Sequence, residues 1–184
     1  MPRLPNLVLT SAVASLLALS APASAQTVTF PMRDGARPDT TTGVPHVQIG
    51  VLPVPELSEE MLRQVAEFPG VVLGATRVSL PGAVGFQLTR DAPIAQPQAI
   101  VGGREFAHLH PDGSLHAALH PETALAAIDA GWAVAHPWAD QRPGWEGFVM
   151  IYTPLDEAEL DVVLRLVRSS YTFVSGQSLP EKQR

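Results

Sequence analysis

Three of the six histidines fall in one short stretch, Glu105 to Leu119, which reads EFAHLHPDGSLHAAL. Imidazole titrates near neutral pH, moves protons and ligates first-row metals through either ring nitrogen, so its concentration is a chemical signal. Spacing decides whether the rings meet. In Pro111-Asp112-Gly113, proline presets φ, aspartate bonds its own backbone, and glycine takes the left-handed position of a three-residue hairpin loop. Such a loop sets His110 opposite Ser114, Leu109 opposite Leu115 and His108 opposite His116. Side chains alternate along a strand, so His108, His110 and His116 share one face while Ala107, Leu109, Leu115 and Ala117 share the other. Directly opposed Cβ atoms lie about 5 Å apart, which gathers three imidazoles on a patch the size of a small ligand.

Three kinds of role suit such a patch. His-x-His with a cross-strand His supplies three neutral nitrogens to a divalent metal. Without metal, one imidazole removes a proton from an enol or phenol. In a structural role the rings bond each other and the sheet. Three histidines on one face favour function over structure. His136, in Gly131-Trp132-Ala133-Val134-Ala135-His136-Pro137, comes from a neighbouring strand and can close the cluster. Glu105 is a candidate partner, but strict alternation puts it on the opposite face unless a bulge after Gly102-Gly103 re-aims it. His120 precedes a helix start and reads as a cap or surface residue. There is no P-loop, no dinucleotide-type glycine turn, no G-x-S-x-G elbow and no cysteine nucleophile.

The hairpin needs a sheet around it. Pro45 to Ile49 reads as a short edge strand. Ser58 is placed to cap a helix with Glu59 and Glu60 in its first turn and Met61, Leu62, Val65 and Phe68 as its apolar stripe. Val71 to Leu80 and Val84 to Leu88 make a hairpin around Pro81-Gly82. Pro121 opens a second helix with Ala124, Leu125 and Ile128 facing inward, ended by Gly131. Trp132 to His136 is a short strand, and Phe148 to Tyr152 reads as the central strand of the sheet. A last helix spans about Asp156 to Phe173, its acids at the N-terminal end and its stripe of Leu160, Val163, Leu164, Val167, Tyr171 and Val174 forming core. These elements predict an α+β fold: an antiparallel sheet with a central His-bearing hairpin, covered by about three helices.

Composition limits the partners. A net charge of −6 and one lysine, Lys182, argue against nucleic acid or an anionic membrane surface. Arg3, the apolar run Leu7 to Ala21 and Ala23-Ser24-Ala25 read as a cleavable signal rather than a membrane anchor, since the run is shorter than the roughly 20 residues of a span, and the mature chain is expected to start at Gln26. The mature protein is therefore expected in the periplasm or secreted, with no membrane span. The expected division is a signal over residues 1–25, an ordered arm over 26–44, one domain over 45–175 and a polar tail over 176–184. Arg33 and Arg37 lie in the arm, in Arg33-Asp34-Gly35-Ala36-Arg37-Pro38. They are either solvated or reach a carboxylate, internal or on a ligand.

Several segments follow one another as they do in a known family. They are Arg104-Glu105-Phe106-Ala107-His108-Leu109-His110, Ser114-Leu115-His116-Ala117-Ala118-Leu119, and Gly131-Trp132 through His136-Pro137. Phe148 to Pro154, Asp156-Glu157-Ala158-Glu159, the Val-rich final helix and the arm's RDGARP complete the set. Together they resemble the luciferase domain of basidiomycete fungi and its bacterial relatives. The fungal enzyme is an oxygenase that adds O2 to the enol-bearing ring of a hydroxylated styrylpyrone, loses CO2 and emits light. The positions that match the family are Glu105, His108, His110, His116, Trp132 and His136, with His46 a looser match. The resemblance implies an oxygenase of a small enolic or phenolic compound, with O2 as co-substrate and no organic cofactor. His108, His110, His116 and His136 would be catalytic, and Glu105, Phe106, Trp132, Arg33 and Arg37 would contact substrate. Trp132 and Phe106 would stack on an aromatic ring. The alternative is a non-catalytic periplasmic protein that binds a small ligand or metal in the same pocket. If a metal is present, His108, His110 and His116 are its ligands. The resembled enzyme and the expected direction of Glu105 favour the metal-free site.

Overall fold

The computed structural model describes residues 28–180; the expected signal segment and the end of the polar tail lie outside them. Six strands form one antiparallel sheet, named here in chain order: β1 (Val71–Ala75), β2 (Val84–Leu88), β3 (Glu105–Leu109), β4 (Leu115–Ala118), β5 (Ala133–Ala135) and β6 (Phe148–Ile151). Their spatial order is β1-β2-β3-β4-β6-β5. Three helices complete the fold: α1 (Pro55–Val65), α2 (Pro121–Asp129) and α3 (Glu157–Ser175). The fold is α+β, and the β3–β4 hairpin occupies the middle of the sheet. Strand β6 lies beside this central pair, between β4 and β5. Among the described residues, no helix is long and apolar enough to cross a membrane.

The hairpin turns as its sequence dictates. His108 pairs with His116, Leu109 with Leu115 and Ala107 with Ala117. Gly113 takes φ 84°. The Asp112 carboxylate accepts from the backbone N–H and hydroxyl of Ser114 at 2.9 and 2.7 Å. Alternation then divides the sheet into two faces. Phe86, Leu88, Ala107, Leu109, Leu115, Ala117, Val149 and Ile151 belong to one buried cluster with apolar residues of all three helices. The histidines occupy the reverse face.

Helix α3 is built from end to end by its sequence. Asp156 accepts from the N–H of Glu159, capping the N-terminus, and Gly176 takes the left-handed position past the C-terminus at φ 75°. The six stripe residues from Leu160 to Val174 are all buried. Ser170, also buried, donates toward the carbonyls of Ala118 and Phe106 at 2.7 and 3.2 Å, where the β3–β4 ladder ends.

Three local expectations are corrected. Helix α1 starts at Pro55, not after Ser58, because proline's fixed φ suits the first helical position and its missing N–H costs nothing there. Leu125 on α2 is exposed; Ala124 faces inward as expected, joined by Thr123 and Ala127, and Ile128 packs partly buried against the core. The Pro45 to Ile49 segment does not join the sheet. It makes only an isolated bridge between Thr40 and Gln48 and is held by Gln48, whose side chain bonds Thr153.

Candidate functional site

Strand pairing alone would leave Glu105 among the core residues. A bulge prevents this. The β2–β3 register shifts between Phe86 and Gln87, so that Phe86 opposes Ala107 while Gln87 opposes Glu105. The extra residue on β3 swings Glu105 to the histidine face and sends Phe106 to the core, between the rings of Phe86 and Tyr171. Glu105 Oε1 then lies 2.9 Å from His108 Nδ1. Thr76 Oγ1 and the N–H of Arg77 also donate to the carboxylate, at 2.7 and 3.1 Å. Burial alone would raise its pKa, but the bonds from His108, Thr76 and Arg77 outweigh burial and hold the group ionised below its ordinary value.

Gly85 makes room for this carboxylate. It sits opposite His108 on β2. A Cβ there would meet Glu105 Oε2 at 2.5 Å, Glu105 Cδ at 2.9 Å and Thr76 Cα at 3.2 Å. An isolated glycine in a strand marks such a close approach.

From Glu105 the histidines run in series. His108 Nε2 is 3.1 Å from His116 Nδ1, and His116 Nε2 is 3.2 Å from His46 Nδ1. His46 stacks on His116 with 13° between ring planes. His110 Nδ1 lies 2.9 Å from Ser114 Oγ. His136 follows β5, and its Nδ1 accepts the N–H of Trp138 at 3.1 Å. All five rings are buried, at 5% exposure or less.

Burial dominates their titration. It lowers His46 and drives His116 far below the ordinary imidazole value, with His110, His108, His136 and His46 adding charge repulsion at His116. His110 is lowered to about 4 by burial and by His108, against a smaller opposing pull from Asp112. His136 is lowered to about 4 by burial and by repulsion from His46, His108 and His110. At neutral pH these four rings therefore offer lone pairs, not charges.

The rings open on a cavity with about 500 Å³ of empty space, its mouth included. Val44, Pro45, Val78, Leu80, Val101, Trp138 and Phe148 form its apolar wall, and among the described residues no carboxylate or guanidinium lines it. Trp138 stacks on Trp145 behind it at 6.0 Å between ring centroids. Such a cavity suits a small, flat, largely apolar ligand with one or two polar atoms turned toward the imidazoles.

The structure brings His108, His110, His116, His136 and Glu105 together. Four other expected contacts lie elsewhere. Phe106 is in the core because of the bulge. Trp132 is buried on the arm side, its Nε1 donating to the carbonyl of Pro31 at 2.7 Å. Arg33 reaches an internal carboxylate, Glu159, at 3.1 Å, and its guanidinium lies over Trp132 and Tyr152. Arg37 donates to the carbonyls of Ile128 and Asp129 at the end of α2. These three residues fasten the arm to the domain.

His46, Trp138, Phe148 and Gly85 complete the site without having been assigned to it from the sequence. Gly85 had a signal, a lone glycine between Val84 and Phe86 in a strand. Phe148 follows from pairing, since β6 lies against β4 and presents Phe148 and Met150 on the histidine face. His46 is distant in sequence and arrives on an irregular segment, which no local pattern announces. No curated protein and no solved structure matches the chain. The family model described as the Luciferase domain matches residues 103–170. That match runs from the glycine before β3 to Ser170 on α3 and includes the hairpin and His136, so this part of the chain is similar to the Luciferase domain.

Proposed function

We propose that this domain is an O2-dependent oxygenase of a small enolic or phenolic compound, acting on the periplasmic or secreted side of the membrane. One observation carries the reading: buried imidazoles kept neutral at physiological pH line an apolar, aromatic-walled cavity. The luciferase-domain match over the same strands supports it. An enol or phenol lying against Trp138 and Phe148 would turn its hydroxyl toward the imidazole lone pairs. His110 is the strongest candidate base. Ser114 Oγ gives its own proton to Asp112 at 2.7 Å, so it can only accept from His110 Nδ1–H. Nε2 of His110 is then the free basic nitrogen. Removing the hydroxyl proton makes an electron-rich enolate. Its carbon supplies the electron pair for a new C–O bond to O2, and the proton returns to the distal oxygen. The product is a substrate hydroperoxide, and substrate plus O2 accounts for every atom. No organic cofactor enters this sequence.

The test is oxygen consumption by purified mature protein with a panel of hydroxypyrones and substituted phenols. Turnover should fall about 10²–10⁴-fold in His110→Ala, and Trp138→Ala should raise KM for aromatic substrates more than it lowers kcat. Saturable binding with no O2 uptake across the panel would instead identify a ligand-binding protein.

A further inference from the structure

We propose that His108, His110 and His116 form a three-nitrogen site for one divalent first-row transition metal ion, with the fourth position facing the cavity. The inference rests on the same pocket as the oxygenase reading and goes beyond it in naming the ligand atoms. Two triads of described histidines bring one ring nitrogen each within 4.8 Å of the others: His108, His110 and His116, and His46, His116 and His136. Their outer partners distinguish them. A metal-binding imidazole gives its lone pair to the ion and needs an acceptor for the N–H on its other nitrogen.

The first triad meets that need three times. Glu105 is an acceptor-only carboxylate at His108 Nδ1, 2.9 Å away, which leaves the Nε2 lone pair free. Ser114 Oγ accepts from His110 Nδ1 because its proton is committed to Asp112, which leaves Nε2 free. His46 Nδ1 can accept from His116 Nε2, which frees Nδ1 of His116. That Nδ1 is 3.1 Å from His108 Nε2. With zinc–nitrogen bonds of about 2.0–2.1 Å, the N···N edge of a tetrahedral site is roughly 3.3 Å. The observed pair needs to open only slightly.

The second triad fails the same requirement. His136 Nδ1 accepts the Trp138 N–H at 3.1 Å, so the neutral ring carries its proton on Nε2. Ligation through Nε2 would break that bond. Charge also favours the first triad. Glu105 bonds His108 directly and Asp112 stands behind His110 through Ser114, and two carboxylates balance a divalent ion in a cavity whose lining carries no other charge among the described residues.

Three neutral nitrogens and no thiolate select zinc, iron(II), cobalt(II), nickel or copper over calcium or magnesium. An ion there would take the His110 Nε2 lone pair that serves as base in the metal-free site, so in the loaded site the positive charge would favour the anionic oxygen of the ligand in place of that base, with His46 and His136 left as N–H donors. Binding would also reverse the His46–His116 bond. Without metal, His116 can donate through Nδ1 to His108 and accept from His46. With metal, His116 donates through Nε2 to His46.

Chelator-treated protein titrated with cobalt(II) tests the site, because its visible absorption reports nitrogen ligation directly. One equivalent should bind to the wild type and to His136→Ala. His110→Ala and His116→Ala should lose binding, and Glu105→Gln should weaken it about 10–100-fold. Thermal melts of each variant identify those that fold, and metal should raise Tm only where the site is intact. Absence of saturable binding to folded wild type, or equal loss in His110→Ala and His136→Ala, would overturn the assignment. Oxygen uptake is not read in this experiment, so a bound ion without turnover sinks the oxygenase reading alone, and turnover in metal-free protein sinks only a catalytic role for the ion.

Discussion

Imidazoles that resist protonation in the fold take protons freely once the chain unfolds, and this gives the site a measurable acid signature. His46, His110, His116 and His136 all have folded pKa values below the ordinary 6.5. Below that pH the unfolded chain binds protons that the folded chain refuses. Stability is therefore fully present above about pH 6.5 and declines as pH falls toward 4, by about 1.4 kcal/mol per pH unit for each histidine involved. Glu105 acts in the same sense over a lower range: its lowered pKa confers stability that is fully present above the ordinary carboxylate value and is lost as pH falls through the folded one. Urea midpoints of chelator-treated protein should drop steeply between pH 6.5 and 4.5, and a flat profile would mean that the cluster titrates like exposed histidine. At this scale the sequence was legible where period-two alternation governs, at His108, His110 and His116. Glu105 and Phe106 exchanged faces because a bulge depends on the partner strand, which carries no mark on β3 itself.

The helices and arm show how far local rules reach. Caps, stop glycines and apolar stripes located α2 and α3, while α1 began earlier because Pro55 outweighs Ser58 as a start. The arm was harder to read. An arginine in an Arg-Asp-Gly turn has the same appearance whether it awaits a ligand or an internal partner, and Glu159 lies far along the chain. Arg33→Ala should lower stability by about 3 kcal/mol, since it breaks a buried pair, although Leu155 N–H still serves Glu159 at 3.0 Å. Ligand affinity and activity per folded molecule should persist. If affinity fell and Tm stayed constant, Arg33 would belong to the site after all.

Across the whole molecule, the sheet separates two jobs. One face meets the helices and supplies the core; the other carries polar, titratable groups under irregular segments around residues 44–46, 78–80 and 138. The α+β class was legible because strands and helices differ in hydrophobic period. The cover over the histidines was not, because loops follow no period. Export is tested on the entire chain: protein from periplasm or medium should have the intact mass of a chain starting at Gln26. Retention of Met1 there would indicate an anchored protein.

The space over Gly85, filled by the Glu105 carboxylate, ties two positions into a single heritable unit. Any side chain at 85 must evict the Glu105 carboxylate or move the backbone of Thr76. Substitutions at 85 and 105 should therefore compensate, so that viable sequences drift at both positions together or at neither. Gly85→Ala alone should uncouple His108 and cost several-fold in metal affinity or turnover. In the Glu105→Ser background the same change should cost much less, giving a coupling energy of about 1–2 kcal/mol in a double-mutant cycle. Additive effects would show that the carboxylate has room the strand does not reveal. A designer who wishes to weaken the acid without removing it would begin at the glycine, leaving every ring in the cluster untouched.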